Sequence, residues 1–175
     1  TTGCVVQIVV GAAEAPLAAT RGNLIRQSFK FIGERYGWGH DYNGRDCSGF
    51  VSETYRSLGI LLPRNTGEQQ RMGTYGRIAF TPEMTRVQRL EKIHRLRIGD
   101  LVFIPGHVML VIGQDSHGPW VIHDSQNSGV VIGGQFHRLP TNGVAVTPLL
   151  AMASGPEKSY IEAITAVQRI FPEGG

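Results

Sequence analysis

Two residue types in this sequence offer covalent or proton-transfer chemistry: cysteine, at Cys4 and Cys47, and histidine, at six positions. Cys47 sits in the polar run Arg45-Asp46-Cys47-Ser48-Gly49, just ahead of an amphipathic segment, whereas Cys4 begins an apolar run. Asp46 is a good helix N-cap, which puts Cys47 in the first helical turn. Unsatisfied backbone N–H groups and the helix dipole favour an anion there. The dipole supplies only about 0.3–1 kcal/mol, less than one pKa unit. A thiol with a pKa of about 8.5 therefore needs a further partner to act as a nucleophile at neutral pH, and histidine is the usual one. The competing reading of Cys47 is a buried structural thiol, but its polar neighbours argue against that.

His107 follows Pro105-Gly106 and opens the apolar run Val108–Ile112. A ring at a strand start can face a cleft while the strand packs the core. His123 ends Val121-Ile122-His123, and adjacent antiparallel strands would bring the two rings together. His107 would then take the thiol proton and His123 would orient it, as the acid does in a serine triad. His40, His94, His117 and His137 read as surface or loop residues, with His40 set apart by its place in the Cys47 loop. No local His-x-x-x-His or Cys-x-x-Cys pair supports a metal site, so neither metal nor cofactor is expected. A single bridge between the two cysteines stays open on sequence alone.

Elements must position these groups. Asn23 reads as the cap of a first helix reaching about Tyr36, with Leu24, Ile25, Phe29, Ile32 and Tyr36 on one face. The helix that begins at Cys47 carries Phe50, Val51, Thr54, Tyr55 and Leu58 on its inner stripe and stops at Gly59. Thr66-Gly67-Glu68-Gln69 has capping-box spacing for a further short helix. Met84–Leu96 reads as helical. Leu101–Ile104, Val108–Ile112, Trp120–Asp124, Val130–Ile132 and Val144–Thr147 read as strands of an antiparallel meander. Tyr160–Ile170 looks like a terminal helix. Helices first and strands afterwards predict an α+β domain.

Composition bounds the rest. A chain of 175 residues, 41% hydrophobic and 18% charged, suits one soluble domain. No apolar run reaches the length of a membrane span. The net charge of +3 comes with no Lys/Arg block and no aromatic-interleaved basic stripe, so nucleic acid is not indicated.

At this point the residues resemble a known family. Tyr36-Gly37-Trp38-Gly39, Asp46-Cys47-Ser48-Gly49-Phe50-Val51 and Gly59-Ile60-Leu61-Leu62-Pro63-Arg64 are similar, in order, to blocks of the NlpC family of cell-wall cysteine peptidases. Gly99-Asp100-Leu101-Val102-Phe103 with His107-Val108, and then Val121-Ile122-His123, are similar to its later blocks. The resemblance implies a papain-like core: N-terminal helices, with the nucleophile at a helix N-terminus, packed on an antiparallel sheet bearing the histidines. It implies Cys47 as nucleophile, His107 as base and His123 as the orienting third group. It further implies Tyr36, Trp38, Asp46 and Ser48 as substrate-binding, with Asp46 and Ser48 holding the terminal amine of short free peptides. That role competes with capping for the Asp46 side chain. The implied substrates are peptidoglycan stem peptides or muropeptides, cut at the γ-D-glutamyl–diamino acid bond through a thioester, in the periplasm, outside the cell or in cytoplasmic muropeptide recycling. The alternatives are a papain-fold amidase or acyltransferase, and a non-catalytic wall-binding domain.

The chain departs from the family pattern at His40, which stands where glycine is common, and in a loop one residue short before Cys47. Residues 75–95 form a long insertion that could shape or cover the cleft. The domain expected over 21–175 follows a strand, Val5–Val10, and a linker. Residues 1–20 resemble the tail of an SH3-like domain, and Thr1–Cys4 faintly resembles the end of a lipoprotein signal.

Overall fold

A computed structural model describes residues 15–172. The strand expected at Val5–Val10, and with it any SH3-like tail, lies outside the described residues. Helix α1 spans Arg21–Phe29, and Thr20, not Asn23, caps it: the Thr20 hydroxyl accepts from the Asn23 N–H at 3.2 Å. The Asn23 side chain instead donates to the Ala18 carbonyl. The helix stops a full turn and more before Tyr36. Gly33 at φ 81° turns the chain, and Ile32 and Arg35 are drawn into bridges with Val144 and Gly143.

Helix α2 spans Cys47–Arg56, capped by Asp46, and α3 spans Thr66–Arg71. In α3 the capping box is Asn65 with Glu68, one residue earlier than expected. A short edge strand β1, Gly76–Ala79, and helix α4, Arg86–Ile93, with Thr85 and Gln88 as its box, make up the insertion. Strands β2 (Asp100–Ile104), β3 (His107–Asp115) and β4 (Gly118–Ser125) follow. Next come β5 (Ser128–Ile132), β6 (Gln135–Leu139) and β7 (Gly143–Pro148). The chain then forms a one-turn helix α5 (Tyr160–Ala163) and β8 (Ala166–Arg169).

The expected terminal helix is thus mostly strand. Ala166–Arg169 fills the sheet position between β1 and β2, making antiparallel pairs with both. Six strands run antiparallel in the order β1-β8-β2-β3-β4-β7, and β5 and β6 form a separate hairpin over Gly133-Gly134. Both faces of the sheet are covered, which is why β2 is apolar at successive positions rather than alternating. Leu101 and Phe103 face the cluster built by Leu24 of α1 with Phe50, Val51 and Tyr55 of α2. Val102 and Ile104 face the cluster of Ile93 of α4 with Tyr160, Ile161 and Ile164. The insertion therefore extends the sheet edge and covers the face away from α2.

Tyr55 ties helix to sheet by donating its hydroxyl to the Gly99 carbonyl at 2.5 Å. Gly99 itself sits at φ 91°, a conformation that favours glycine. No helix among the described residues is long and apolar enough to cross a membrane.

Candidate active site

Cys47 is a free, buried thiol, 7% exposed, at the first position of α2. The Asp46 carboxylate caps that helix, accepting from the Gly49 N–H at 2.8 Å. The sulfur lies 3.9 Å from the Thr66 hydroxyl. Because Asn65 has taken the α3 cap, the Thr66 side chain is left to meet the thiol. The nearby backbone N–H groups of Val108 and Ser48 act to lower its pKa. Burial outweighs them and raises the thiol above its usual value.

His107 opens β3 after a two-residue turn in which Gly106 takes φ 76°. Cys47, His107 and Tyr36 line one cleft of about 360 Å³. His107 and His123 lie on the same face of β3 and β4, with Nε2 of His107 3.0 Å from Nδ1 of His123 and the rings edge to face at 78°. Nε2 of His123 is 3.0 Å from the Thr147 hydroxyl, and that hydroxyl donates to the Met152 sulfur.

One set of tautomers follows when the Thr147 hydroxyl donates to Met152. With its hydrogen on Met152, the Thr147 oxygen accepts from His123 Nε2–H. His123 Nδ1 is then an acceptor, which requires His107 to carry its proton on Nε2. The lone pair of the His107 ring is thereby left on Nδ1, the atom available to a thiol. Burial lowers the His107 pKa to about 4, and burial together with the neighbouring His107 holds His123 well below its usual value. At neutral pH the resting groups are therefore a thiol and a neutral imidazole, not a preformed ion pair.

Tyr36 is held by its backbone. Its N–H donates to the Asn142 carbonyl, it forms a bridge with Arg45, and the neighbouring Gly37 N–H donates to the Arg45 carbonyl at 2.7 Å. Burial, with Cys47, Asp46 and Asp124 nearby, raises its phenol to about 12, so it stays a hydrogen-bond donor at all working pH values. Gly37 and Gly44 pack backbone to backbone: a Cβ on Gly37 would lie 2.2 Å from the Asp41 carbonyl oxygen.

The other expected binding residues are placed differently. Trp38 is 74% exposed and, like Asp46 and Ser48, is not among the cleft-lining residues. The Asp46 carboxylate accepts from the N–H groups of Gly39 and Gly49, from the Ser48 hydroxyl, and from both terminal nitrogens of Arg64 at 3.0 and 2.7 Å. Burial works against the carboxylate, but Arg64 and the two backbone donors bring its pKa below the usual range. Arg64 also donates to the Ser48 hydroxyl at 2.9 Å. Asp46 thus clamps the Trp38-Gly39 segment and α3's approach to the start of α2.

Sequence reasoning assigned no part in the site to Arg64, Thr66, Thr147 or Asp124. Arg64 lies at the end of the Gly59–Arg64 motif, Asp124 adjoins His123, and Thr66 signalled a helix cap instead; Thr147 carries no local signal. Among the described residues, no group of three His, Cys, Asp or Glu side chains could hold a metal ion.

A helix-borne cysteine set against sheet-borne histidines defines a papain-like fold class. Within it, the chain belongs to the NlpC/P60 family, whose profile matches residues 33–145. The chain is 35% identical over 119 residues to the murein DD-endopeptidase MepS/murein LD-carboxypeptidase of Escherichia coli K12, covering 64% of this chain and 53% of that one. It is 33% identical over 108 residues to a γ-D-glutamyl-L-lysine dipeptidyl-peptidase of Bacillus cereus, covering 55% of this chain and 28% of the relative. The crystal structure of an NlpC/P60 family protein from Bacillus cereus superposes with a TM-score of 0.57 at 27% identity, over 89% of this chain and 42% of that one. The chain therefore spans about half the length of the Escherichia coli relative and less of the others.

Proposed function

We propose that this chain is a cysteine peptidase of the cell envelope that hydrolyses peptidoglycan stem peptides at the γ-D-glutamyl–diamino acid bond. The observation that carries the reading is that Cys47 and His107 line one cleft, with the His107 ring backed by His123 and His123 by the Thr147 hydroxyl. The names of the Escherichia coli and Bacillus cereus relatives support the substrate class, and the second supports the bond.

Cys47 attacks the scissile carbonyl as His107 Nδ1 takes its proton, general-base activation of a buried nucleophile. The tetrahedral oxyanion is met by first-turn N–H groups of α2 and by the Tyr36 hydroxyl. Collapse breaks the C–N bond, His107 returns the proton to the leaving amine, and a thioester remains on Cys47. Water, deprotonated by the same Nδ1, releases the acid and the thiol. His123 holds the His107 tautomer throughout.

The test is digestion of purified muropeptides by the wild type and by Cys47→Ala, with product masses read by mass spectrometry. A new γ-D-glutamyl carboxylate and a free diamino acid amine from the wild type alone are expected. Cleavage between D-amino acids, the bond class in the Escherichia coli relative's name, would replace the bond assignment. A cut between sugar and L-alanine would make the chain an amidase. Equal digestion by Cys47→Ala would remove the mechanism.

A further inference from the structure

Asp124 follows His123 in β4, so its side chain leaves the sheet on the opposite face, toward α2. It is 0% exposed, and neither carboxylate oxygen has a hydrogen-bond partner among the described residues. Buried polar groups are nearly always paired, and an orphaned one is costly to keep. Asp124 nonetheless lines the cleft that contains Cys47, His107 and Tyr36. None of the cleft-lining residues is Lys or Arg.

The charges around it are mostly negative. Burial, then Glu34 and Asp46, raise the Asp124 carboxyl to about 7, opposed only by Arg45. Arg45 is itself held by Glu34 and Glu53. A buried carboxyl with two unfilled acceptors, in a cleft lined by no Lys or Arg, suits a cation rich in N–H donors. Asp46, the carboxylate that the family resemblance assigns to a substrate amine, already has its oxygens filled and its charge matched by Arg64.

We infer that Asp124, rather than Asp46, is the residue that receives a substrate ammonium group in this cleft. An ammonium supplies N–H donors to both orphaned oxygens and favours the ionised carboxylate. The inference rests on the peptidase reading and specifies a feature of its substrate.

The experiment measures calorimetric Kd values for three forms of L-Ala-γ-D-Glu-L-Lys. One has both amines free, one is acetylated on the α-amine, and one on the ε-amine. Binding is read on Cys47→Ala and on Cys47→Ala/Asp124→Asn, and wild-type turnover is followed separately. Removing one member of a desolvated charge pair weakens binding about 30-fold or more. One acetylated form should therefore bind Cys47→Ala about 30-fold more weakly than the free peptide, and the acetylated position identifies the ammonium. Asp124→Asn should shrink that preference to about threefold or less. Asp124→Ser replaces it if the asparagine variant does not fold.

Equal Kd values for all three peptides on Cys47→Ala would overturn the inference, as would an undiminished preference in the Asp124 variants. Selective binding without wild-type turnover would instead contradict the peptidase reading and leave the ammonium site standing.

Discussion

Substituting Asp124 with asparagine tests the state of the buried carboxyl directly, through stability rather than activity. Its native pKa of about 7 compares with about 3.9 in an unfolded chain. The folded state therefore holds this proton more tightly than the unfolded state does. The stability the group contributes is full below the unfolded value and is lost as pH rises through the native value. At 1.36 kcal/mol per pKa unit, the loss is about 1.5 kcal/mol at pH 5 and about 4 kcal/mol at pH 8. Asparagine does not titrate. Its own unpaired amide costs about 1–3 kcal/mol, but equally at both pH values. Urea unfolding of the wild type and Asp124→Asn at pH 5 and pH 8 should show the difference between them shifting by about 2.5 kcal/mol in the variant's favour as pH rises. Other titrating groups cancel in that comparison. A difference that stays constant would mean that Asp124 is not a desolvated acid. A residue kept at such a cost fits a functional role better than a structural one.

Further outcomes follow from the same structure. Thr147→Val leaves His123 Nε2–H without an acceptor and unfixes the His107 tautomer. Turnover should fall by about tenfold or more as the positioned base is lost, with Thr147→Ser restoring it; valine at wild-type activity would break the proton assignment. Burial raises the Cys47 thiol and lowers His107, so iodoacetamide labelling of the free enzyme should climb steadily from pH 6 to pH 9, and a plateau near pH 6 would indicate a preformed ion pair instead. Gly37→Ala drives a Cβ onto the Asp41 carbonyl and should lose about 1–3 kcal/mol of stability in urea, together with the placement of Tyr36.

Parts of this arrangement were legible in the sequence for identifiable reasons. Asp46 announced α2 because a carboxylate before an amphipathic run is a cap wherever it occurs, and it does accept from Gly49. The apolar runs of β2, β3 and β4 stood out because the sheet is buried on both faces. Cys47 and His107 could be referred to one cleft because each sits at the end of an element, where a side chain meets solvent. Residues 160–170 misled because Tyr160, Ile161, Ile164 and Val167 recur at helical spacing; only the open sheet position between β1 and β2 makes Ala166–Arg169 a strand. The first helix read too long because Ile32 and Tyr36 continue its periodicity, while bridges from Ile32 and Arg35 to the edge of β7, and from Tyr36 to Arg45, pull the chain away. Thr147 is brought to His123 by strand register, and the saturation of Asp46 depends on Arg64 returning from 18 residues away. No local pattern encodes either contact.

The central claim is that the Cys47 sulfur forms a covalent bond to the substrate's acyl group, with His107 as its base. Acid quenching of the wild type during turnover of a stem peptide, followed by digestion and mass spectrometry, reads that bond. The peptide containing Cys47 should carry the mass of the γ-glutamyl acyl fragment, and Cys47→Ala should neither carry it nor turn substrate over. Turnover at the wild-type rate by Cys47→Ala would contradict the account outright.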